Sequence, residues 1–426
     1  MKLRDLKAEL QNEDVFNHEG PDFLVANVKN EMKLKEIFSK ARLVLNCVGP
    51  YRFFGEPVVR AAIEAKCDYM DICGEPKFIE EMYLKYDDTA KAAQVLVIHA
   101  CAFDSVPADL GFLFTMRNYA PNCCHHIESF LTVHCGSSGL GGHYTTYESA
   151  VHGIGDKSSL QKLRSEIQQK YHLPKIINIG DKLKRYDGLF YHSASKKYAF
   201  PFMGADAAVV RSTQRNLSVL IQETTWPQYA AYFTLGSLYN SVRFLFYGSI
   251  FQFLCNFSFG RSVLLKYPKL FTNGVFSHEG PSQDQLEGTS FDMTFYSRGT
   301  EAPPEGSTAG RTTKNVVTRV TGPEPGYVAT PAILVALAKL VLSYRIGPED
   351  ALQESNRTSA TVASRGDSFS TSASALPRGG VLTPGSAFYN CQEVYNKLRE
   401  VGIDFQLLDV LAHTGGNSDA RLSRRR

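Results

Sequence analysis

Short apolar runs alternate with longer amphipathic segments through the first hundred residues. The apolar runs predict strands and the amphipathic segments predict helices. The predicted strands span 21–28, 42–51, 67–75 and 94–103, and the predicted helices span 1–10, 30–41, 56–66 and 76–93. This alternation indicates an α/β fold with a parallel, doubly wound sheet. Runs such as LVLNCV are apolar throughout, which is typical of strands covered on both faces.

The alternation ends near residue 120, so we assign 1–120 to the first domain and 121–322 to a second one. The second domain is predicted to be α/β with a mixed or antiparallel sheet. Its elements are a strand at 127–136, a lysine-rich polar stretch at 157–197, and strands at 292–299 and 315–322, followed by a strongly apolar helix at 327–344.

Two segments are predicted to be disordered. Residues 351–378 are mainly Ser, Thr and Ala with almost no large apolar side chain. Such a composition cannot bury enough surface to offset the entropy of folding. The tail at 413–426, which ends in SRRR, is predicted to be disordered as well.

Composition narrows the class of protein. The 426 residues are 43% hydrophobic and 21% charged, with a net charge of only +3, which is ordinary globular usage and no sign of nucleic-acid binding. The nine Cys form no CxxC pair and the first residues lack an apolar core, so we expect an intracellular, reducing compartment. Cys123, Cys124, His125 and His126 are adjacent, but neighbouring side chains on an extended segment point opposite ways, so we expect no metal site.

Aromatic residues crowd the segment 229–259, and its role stays open between two interpretations. Its uncharged part, 244–259, follows Arg243 and is too short to span a membrane. One interpretation is a buried helix pair or a contact between two copies of the chain. The other is an interfacial hairpin resting on a lipid surface, aided by the cations Arg261, Lys266 and Lys269.

Three predicted strand ends carry polar or turn-forming residues: NCVGPY at 46–51, DICGE at 71–75 and AFDSVPADLG at 102–111. In an open parallel sheet, ligands bind beyond the carboxyl ends of the strands. Each motif alone is explained by turn and cap chemistry. Together they place polar groups at successive strand ends and predict a site there.

A glycine-rich stretch, GSSGLGG at 136–142, lies between a strand and a helix-like segment. Such a turn can cradle a pyrophosphate. Its spacing is not GxGxxG, however, and it follows the end of the alternating region. We interpret it as a flexible loop beside the cleft, in the second domain.

Several motifs resemble those of the saccharopine dehydrogenase-like oxidoreductases of animals. They are NCVGPYRFFGEPVVRAAIEAKCDYMDICGEP, ACAFDSVPADLGF, YAFPFMGADAAVVRSTQR at 198–215, GPEPGYVATP at 322–331 and GGVLTPGSAF at 379–388. The resemblance implies a Rossmann-type domain that binds NAD or NADP, a second α/β domain on the substrate side, and a return of 323–350 and 379–412 to the first domain. The family also includes trans-acting enoyl reductases of bacterial complex-lipid synthesis, and its animal members tend to associate with lipid droplets and other membranes.

The chain departs from the family pattern at its beginning. Relatives start with a strand that enters a glycine-rich GxxGxxG turn, whereas no such strand and turn precede Asn46 in this sequence. The turn supplies backbone donors and a helix N-terminus to the pyrophosphate. We therefore expect an N-terminally truncated Rossmann-type sheet, with cofactor binding impaired.

The resemblance implies NAD(P)-dependent hydride transfer on a lipid-related substrate, as in glycolipid or complex-lipid metabolism. The alternative is an inactive lipid-droplet or membrane-surface protein that keeps the fold. The expected location is a lipid droplet, another membrane or the mitochondrion. The residues expected to line the cofactor are Asn46, Val48, Gly49, Pro50, Asp71, Gly74, Glu75, Asp104 and Ser105, and the expected proton donor is Tyr327.

Overall fold

The structure is a computed structural model that describes residues 22–119, 124–153, 157–301, 312–345 and 376–413. The strands are β1 (Leu43–Asn46), β2 (Asp68–Asp71), β3 (Leu96–Ile98), β4 (Cys124–His134), β5 (Gly142–His143), β6 (Ile177–Asn178), β7 (Phe190–His192), β8 (Lys197–Pro201), β9 (Thr225–Trp226), β10 (Gln228–Leu235), β11 (Phe276–Ser277), β12 (Ser290–Glu301), β13 (Thr312–Pro323), β14 (Gly380–Leu382) and β15 (Asp404–His413).

The helices alternate with the strands in the first part of the chain and gather between and around the sheets in the rest. They are α1 (Glu31–Phe38), α2 (Tyr51–Glu64), α3 (Pro76–Ala93), α4 (Val106–Met116), α5 (Tyr144–Gly153), α6 (Lys157–Tyr171), α7 (Asp206–Leu220), α8 (Leu238–Cys255), α9 (Ser258–Lys266), α10 (Pro268–Phe271), α11 (Gln283–Glu287), α12 (Thr330–Arg345), α13 (Pro384–Ala387) and α14 (Glu393–Glu400), with a π-helical turn at Pro325–Ala329 before α12.

Two sheets organise the chain. The first has the order β1-β2-β3-β14, and all of its strand pairs are parallel. The second has the order β15-β13-β12-β4-β10-β8-β7, in which only β4 and β10 pair in parallel. The predicted α/β class, with a parallel sheet followed by a mixed one, is confirmed.

One expectation about the strands is wrong, and another holds for only part of its range. Residues 22–27 of the predicted first strand have no regular structure, and Leu24 and Val25 are 62% and 84% exposed. A strand needs a neighbour to pair its backbone groups, and the described residues supply none here. The resemblance placed 379–412 in the first domain, but only β14 joins the first sheet. The strand β15 adds to β13 at the edge of the second sheet, because its backbone groups pair antiparallel with those of β13.

The disordered segments predicted at 351–378 and 413–426 fall almost entirely outside the described residues. The exceptions are Leu376–Arg378, where Leu376 is buried in the main core, and His413 at the end of β15. The predicted helix at 1–10 also lies outside the described residues.

Helix α4 packs on the second sheet and forms the centre of the core. Phe112 lies edge-on to Tyr229 of β10, with ring centroids 5.6 Å apart. Gly111 faces Phe295 of β12 so closely that a Cβ there would lie 2.3 Å from the ring. Helix α12 with its π-helical turn, 325–345, is long and apolar enough to cross a membrane. One face of this helix, which includes Ile333 and Leu337, is buried in this core.

The aromatic segment divides at Gly236 and Ser237. Before them, β10 lies inside the second sheet. After them, the Ser237 side chain accepts a hydrogen bond from Asn240 N and begins helix α8, in which only Ser241 and Cys255 are buried. The expectation of a buried helix pair is therefore wrong, and a contact with a lipid surface or a second copy stays a prediction.

A matched pair of helical glycines tests the packing of α4. We expect Gly111→Ala to lower the free energy of unfolding by about 1–3 kcal/mol, because the added methyl group overlaps Phe295. Gly248→Ala in α8 meets nothing within 4 Å and is expected to be neutral or to stabilise by about 0.5–1 kcal/mol. Urea unfolding of both variants measures the difference, and equal effects would contradict this packing.

Candidate functional site

A chain of buried hydrogen bonds crosses the carboxyl ends of β1, β2 and β3. Asn46 Nδ2 donates to the Tyr69 hydroxyl at 2.9 Å, and that hydroxyl donates to Asp71 Oδ2 at 3.0 Å. His99 Nδ1 lies 2.7 Å from the same oxygen. Tyr69 and Asp71 are two residues apart on one strand, so their side chains share a face. The chain holds the three strand ends together.

Asp71 also fixes the loops that follow β2 and β3. Its Oδ1 accepts hydrogen bonds from Cys73 N at 3.1 Å and from Ala100 N at 3.0 Å. Asp71 and Asn46 are both buried. The two residues were expected to line a cofactor, and the structure engages both in hydrogen bonds within the sheet.

Glu75 caps helix α2. Its Oε1 accepts a hydrogen bond from Tyr51 N at 2.8 Å, and its Oε2 pairs with Arg52 Nε at 2.9 Å. Pro50, the residue before this helix, has no side chain able to cap it. Arg52 Nη1 donates to His152 O at 2.8 Å and so joins α2 to α5. Glu75 acts as a structural cap at the strand ends.

The loop after β1 is the open part of this edge. Val48 is 45% exposed, and its N–H donates to Asn46 Oδ1 at 3.1 Å. Gly49 and Pro50 complete the turn, and the Tyr51 hydroxyl returns to donate to Asn46 O at 2.7 Å. The loop therefore exposes the Val48 side chain to solvent, while hydrogen bonds to Asn46 fix its backbone.

Gly74 lets the loop after β3 approach the loop after β2. A Cβ at Gly74 would lie 2.9 Å from Asp104 Oδ2, so a side chain there would displace the carboxylate. Ser105 follows Asp104 and is fully buried. The structure thus brings Gly74 and Asp104 together, as the strand-end motifs predict, and β1 carries Gly49 to the same edge.

Asp206, the first residue of α7, lies near Asp104. We call the residues at these strand ends the strand-end cluster: Asn46, Arg52, Tyr69, Asp71, Gly74, Glu75, His99, Asp104 and Asp206. Asp206 is buried, and its Oδ1 has no hydrogen-bond partner among the described residues. Burial and the nearby charge of Asp104 raise the pKa of Asp206 well above its usual range. Burial also raises the pKa of Asp104 to about 6. Both shifts favour the protonated form, because burial opposes ionisation of each group and the charge of Asp104 further opposes that of Asp206.

A third buried carboxyl group, Asp109, serves packing. Its Oδ2 accepts hydrogen bonds from Thr213 Oγ1 at 2.8 Å and from Gly385 N at 2.7 Å. Burial raises its pKa to about 6. Asp109 thus ties α4 to α7 and to α13, beneath the strand-end cluster.

Tyr327 lies beside the second domain. Its hydroxyl accepts a hydrogen bond from His143 N at 2.6 Å, at the end of the glycine-rich stretch 136–142. Three residues later, Thr330 Oγ1 accepts a long hydrogen bond of 3.4 Å from Phe103 N. The Tyr327 region therefore borders the loop that carries Asp104, and the proton-donor role of Tyr327 stays a prediction.

The described residues contain no group of three or more His, Cys, Asp or Glu side chains arranged to hold a metal ion. Of the adjacent cysteines and histidines noted in the sequence, Cys123 lies outside the described residues. His126 Nε2 is hydrogen-bonded to the backbone oxygen of Asp181.

Comparison with known proteins identifies the family. Residues 3–98 match the profile of the saccharopine dehydrogenase NADP binding domain. The chain is 41% identical over 388 residues to the saccharopine dehydrogenase-like oxidoreductase of Rattus norvegicus, which covers 90% of this chain and 82% of the relative. The chain belongs to the saccharopine dehydrogenase-like oxidoreductases.

More distant members of the family cover the chain equally well. A protein of Arabidopsis thaliana named "Probable mitochondrial saccharopine dehydrogenase-like oxidoreductase" is 31% identical over 415 residues, 92% of this chain and 84% of the relative. A "Lipid droplet localized protein" of Caenorhabditis elegans is 29% identical over 419 residues, 95% of this chain and 89% of the relative. The family resemblance seen in the motifs is confirmed, and its first domain is of the NADP-binding type.

Several residues of the strand-end cluster escaped the sequence analysis. The motif DYMD signals Tyr69, since a strand places its second and fourth residues, Tyr69 and Asp71, on one face. Asp206 lies within the family motif YAFPFMGADAAVVRSTQR, but nothing in the sequence places it beside Asp104. His99 and Arg52 likewise acquire partners only through the packing of separate elements.

Asp206→Asn tests the charge state of the carboxyl pair. Because folding raises the pKa of Asp206, the folded protein gains stability as pH falls through that pKa and loses it as pH rises. At about pH 8 we expect the variant to be more stable than the wild type by roughly 1–3 kcal/mol, since an amide replaces a buried carboxyl group that is costly to ionise. The difference should shrink toward about pH 5.

Urea unfolding at both pH values measures this difference. Asp187→Asn is the matched control, because Asp187 is exposed. A stability difference for Asp206→Asn that does not change with pH, or a less stable variant at the higher pH, would contradict the raised pKa of Asp206.

Proposed function

We propose that this chain is an NAD(P)-dependent oxidoreductase that acts on a lipid-related substrate at a lipid surface. The observation that carries the first part is the convergence of Gly49, Gly74 and Asp104 at the carboxyl edge of a parallel sheet whose sequence matches an NADP-binding domain. Ligands bind at this edge in open α/β sheets.

The strand-end residues fit the nicotinamide side of such a cofactor. Val48 is open to solvent, and Gly74, which has no Cβ, leaves room for the Asp104 carboxylate beside it. Asp71 and Glu75 stabilise the loops at the strand ends, and their carboxylate oxygens are engaged in internal hydrogen bonds. The described residues before Asn46 include no glycine-rich strand-to-helix turn, so the contacts proposed here concern the nicotinamide and ribose.

When bound, NAD(P) supplies or accepts the hydride, and the chain supplies placement and proton transfer. The raised pKa values of Asp104 and Asp206 favour a protonated carboxyl group at this edge of the sheet. A carboxyl group with a raised pKa is suited to general acid catalysis. We propose Asp104, half-buried beside Gly74, as the group that hands this proton to a substrate oxygen or carbon.

Titration of the purified chain with NADH and with NADPH, followed by cofactor fluorescence, tests cofactor binding. We expect saturable binding, and we expect Val48→Asp to weaken it roughly tenfold, because a carboxylate at this exposed position repels an anionic dinucleotide. Val25→Asp, at another exposed valine, is the matched control and should leave binding unchanged.

The second candidate function is a lipid-surface protein without catalysis. It is favoured by the occupation of Asn46, Asp71 and Glu75 in internal hydrogen bonds. Failure of the wild type to bind either nucleotide would favour this candidate. Binding that Val48→Asp and Val25→Asp weaken equally would place the nucleotide away from the strand ends.

Helix α8 carries the surface part of the proposal. Tyr239, Val242, Phe246 and Phe253 are spaced by three, four and seven residues, so they form one stripe along the helix, and all four are exposed. Phe257 and Phe259 extend the apolar surface past the end of the helix. A stripe of large exposed apolar side chains marks an interaction surface.

Cations accompany this stripe. Arg243 is exposed on α8, and Lys266 lies over the ring of Tyr267, 5.4 Å from its centroid. Aromatic side chains flanked by Arg and Lys suit an anionic lipid interface. The similarity to a lipid droplet localized protein supports the same partner. We therefore propose that α8 rests its exposed stripe on a lipid monolayer or membrane.

Flotation with vesicles or artificial lipid droplets tests this surface. We expect Phe246→Ser combined with Phe253→Ser to reduce lipid binding at least roughly tenfold, because both rings, 62% and 63% exposed, would lose their burial in lipid. Tyr191→Ser removes a 55% exposed ring on β7 and should leave flotation unchanged. Equal flotation of all three proteins would exclude α8 as the lipid contact.

A further inference from the structure

Four arginines gather where α3, α6 and α7 meet the loop before β7. We call Arg164 of α6, Arg185 of the loop, and Arg211 and Arg215 of α7 the arginine cluster. Arg211 and Arg215 are four residues apart on one helix, so their side chains lie on the same face. Neither the strand-end cluster nor the apolar stripe of α8 includes any of these residues.

Helix α3 holds two members of the cluster in position. Glu80 accepts three hydrogen bonds from Arg164, at 2.6 to 3.0 Å, and is itself buried. One turn later, the ring of Tyr83 lies under the guanidinium of Arg215, 4.2 Å from its centroid. Arg185 donates to the backbone oxygen of Tyr229 at 3.2 Å. Glu80 compensates the charge of Arg164. The other contacts orient Arg185 and Arg215 without neutralising them.

The positive charge of the cluster exceeds the negative charge around it. Glu80 is the acidic group that acts on Arg211, against the positive charges of Arg164, Arg185 and Arg215. Asp87, the next acidic group, is bound to Lys91 and to Val381 N. The cluster therefore carries an excess of positive charge.

Arg211 has no hydrogen bond or ion pair within the described part of the chain, and it is exposed to solvent. The Nε atom of Arg215 is buried without a partner among the same residues. The cluster therefore keeps donors available for a ligand, and the surface position of Arg211 gives access to it.

We propose that the arginine cluster binds a phosphate group. Several guanidinium groups from different elements match the tetrahedral oxygens of phosphate, and arginine binds them through paired N–H donors. A phosphate dianion also compensates the excess charge more fully than a single carboxylate does. The arginine cluster is separate from the strand-end cluster, and its proposed role does not depend on the proposed hydride transfer.

Thermal unfolding without nucleotide, in a phosphate-free buffer of constant ionic strength, tests the site with inorganic phosphate as the probe. Phosphate should raise the melting temperature of the wild type saturably, with chloride as the ionic control. Arg211→Gln should weaken this response roughly tenfold. Arg378→Gln, at an exposed arginine beside β14, should respond like the wild type.

A second readout separates binding from a structural role. Without phosphate, Arg211→Gln should melt at the same temperature as the wild type or higher, because it relieves repulsion among like charges. A lower melting temperature of the variant, a phosphate response equal to that of the wild type, or a wild-type response no larger than that to chloride would overturn the proposal.

Vesicles identify the source of the phosphate group. Flotation compares phosphatidylcholine vesicles with and without phosphatidic acid, and the increment due to phosphatidic acid is measured for the wild type and Arg211→Gln. Loss of this increment in the variant assigns the site to a lipid headgroup. An unchanged increment, together with a lost response to inorganic phosphate, assigns it to a soluble phosphate compound.

Discussion

The carboxylate of Asp71 is the group on which the arrangement of the strand-end cluster depends. It accepts hydrogen bonds from the hydroxyl of Tyr69 and from the backbone N–H groups of Cys73 and Ala100. One of its oxygens also lies 2.7 Å from His99 Nδ1. Parallel strands end at one edge, but their loops are free to diverge. A buried carboxylate whose lone pairs are satisfied from three directions prevents that divergence, because each broken bond would leave a polar group buried without a partner.

The buried acidic residues near Asp71 fall into two groups that differ in their hydrogen bonding. Asp71 and Glu75 have partners for their oxygens and stabilise loops and helix ends. Burial raises the pKa values of Asp104 and Asp206, and Asp206 Oδ1 has no hydrogen-bond partner among the described residues. Carboxyl groups of the same type thus serve structure when they are fully hydrogen-bonded and become candidates for proton transfer when they are not.

The surface carries two different candidate interaction sites, the apolar stripe of α8 and the arginine cluster. Helix α8 exposes aromatic side chains that a helix of a monomeric globular domain usually buries. The arginine cluster exposes positive charge that the surrounding acidic groups do not balance. Helix α12 is the counterexample, since with its π-helical turn it is long and apolar enough to cross a membrane and nevertheless buries one face in the core. Hydrophobicity alone therefore does not distinguish a surface helix from a core helix in this chain.

The hydrophobic pattern determined the α/β class, the helix α3 at its observed bounds and the strand ends where Gly49, Gly74 and Asp104 lie. These are local properties, because the period of a pattern and the position of a turn depend on neighbouring residues. The tertiary structure decided that Asn46, Asp71 and Glu75 are engaged internally, that Asp206 joins Asp104, and that α8 is exposed while α12 is buried. Each of these depends on contacts between residues far apart in the chain, and a single sequence does not record which distant elements pack together.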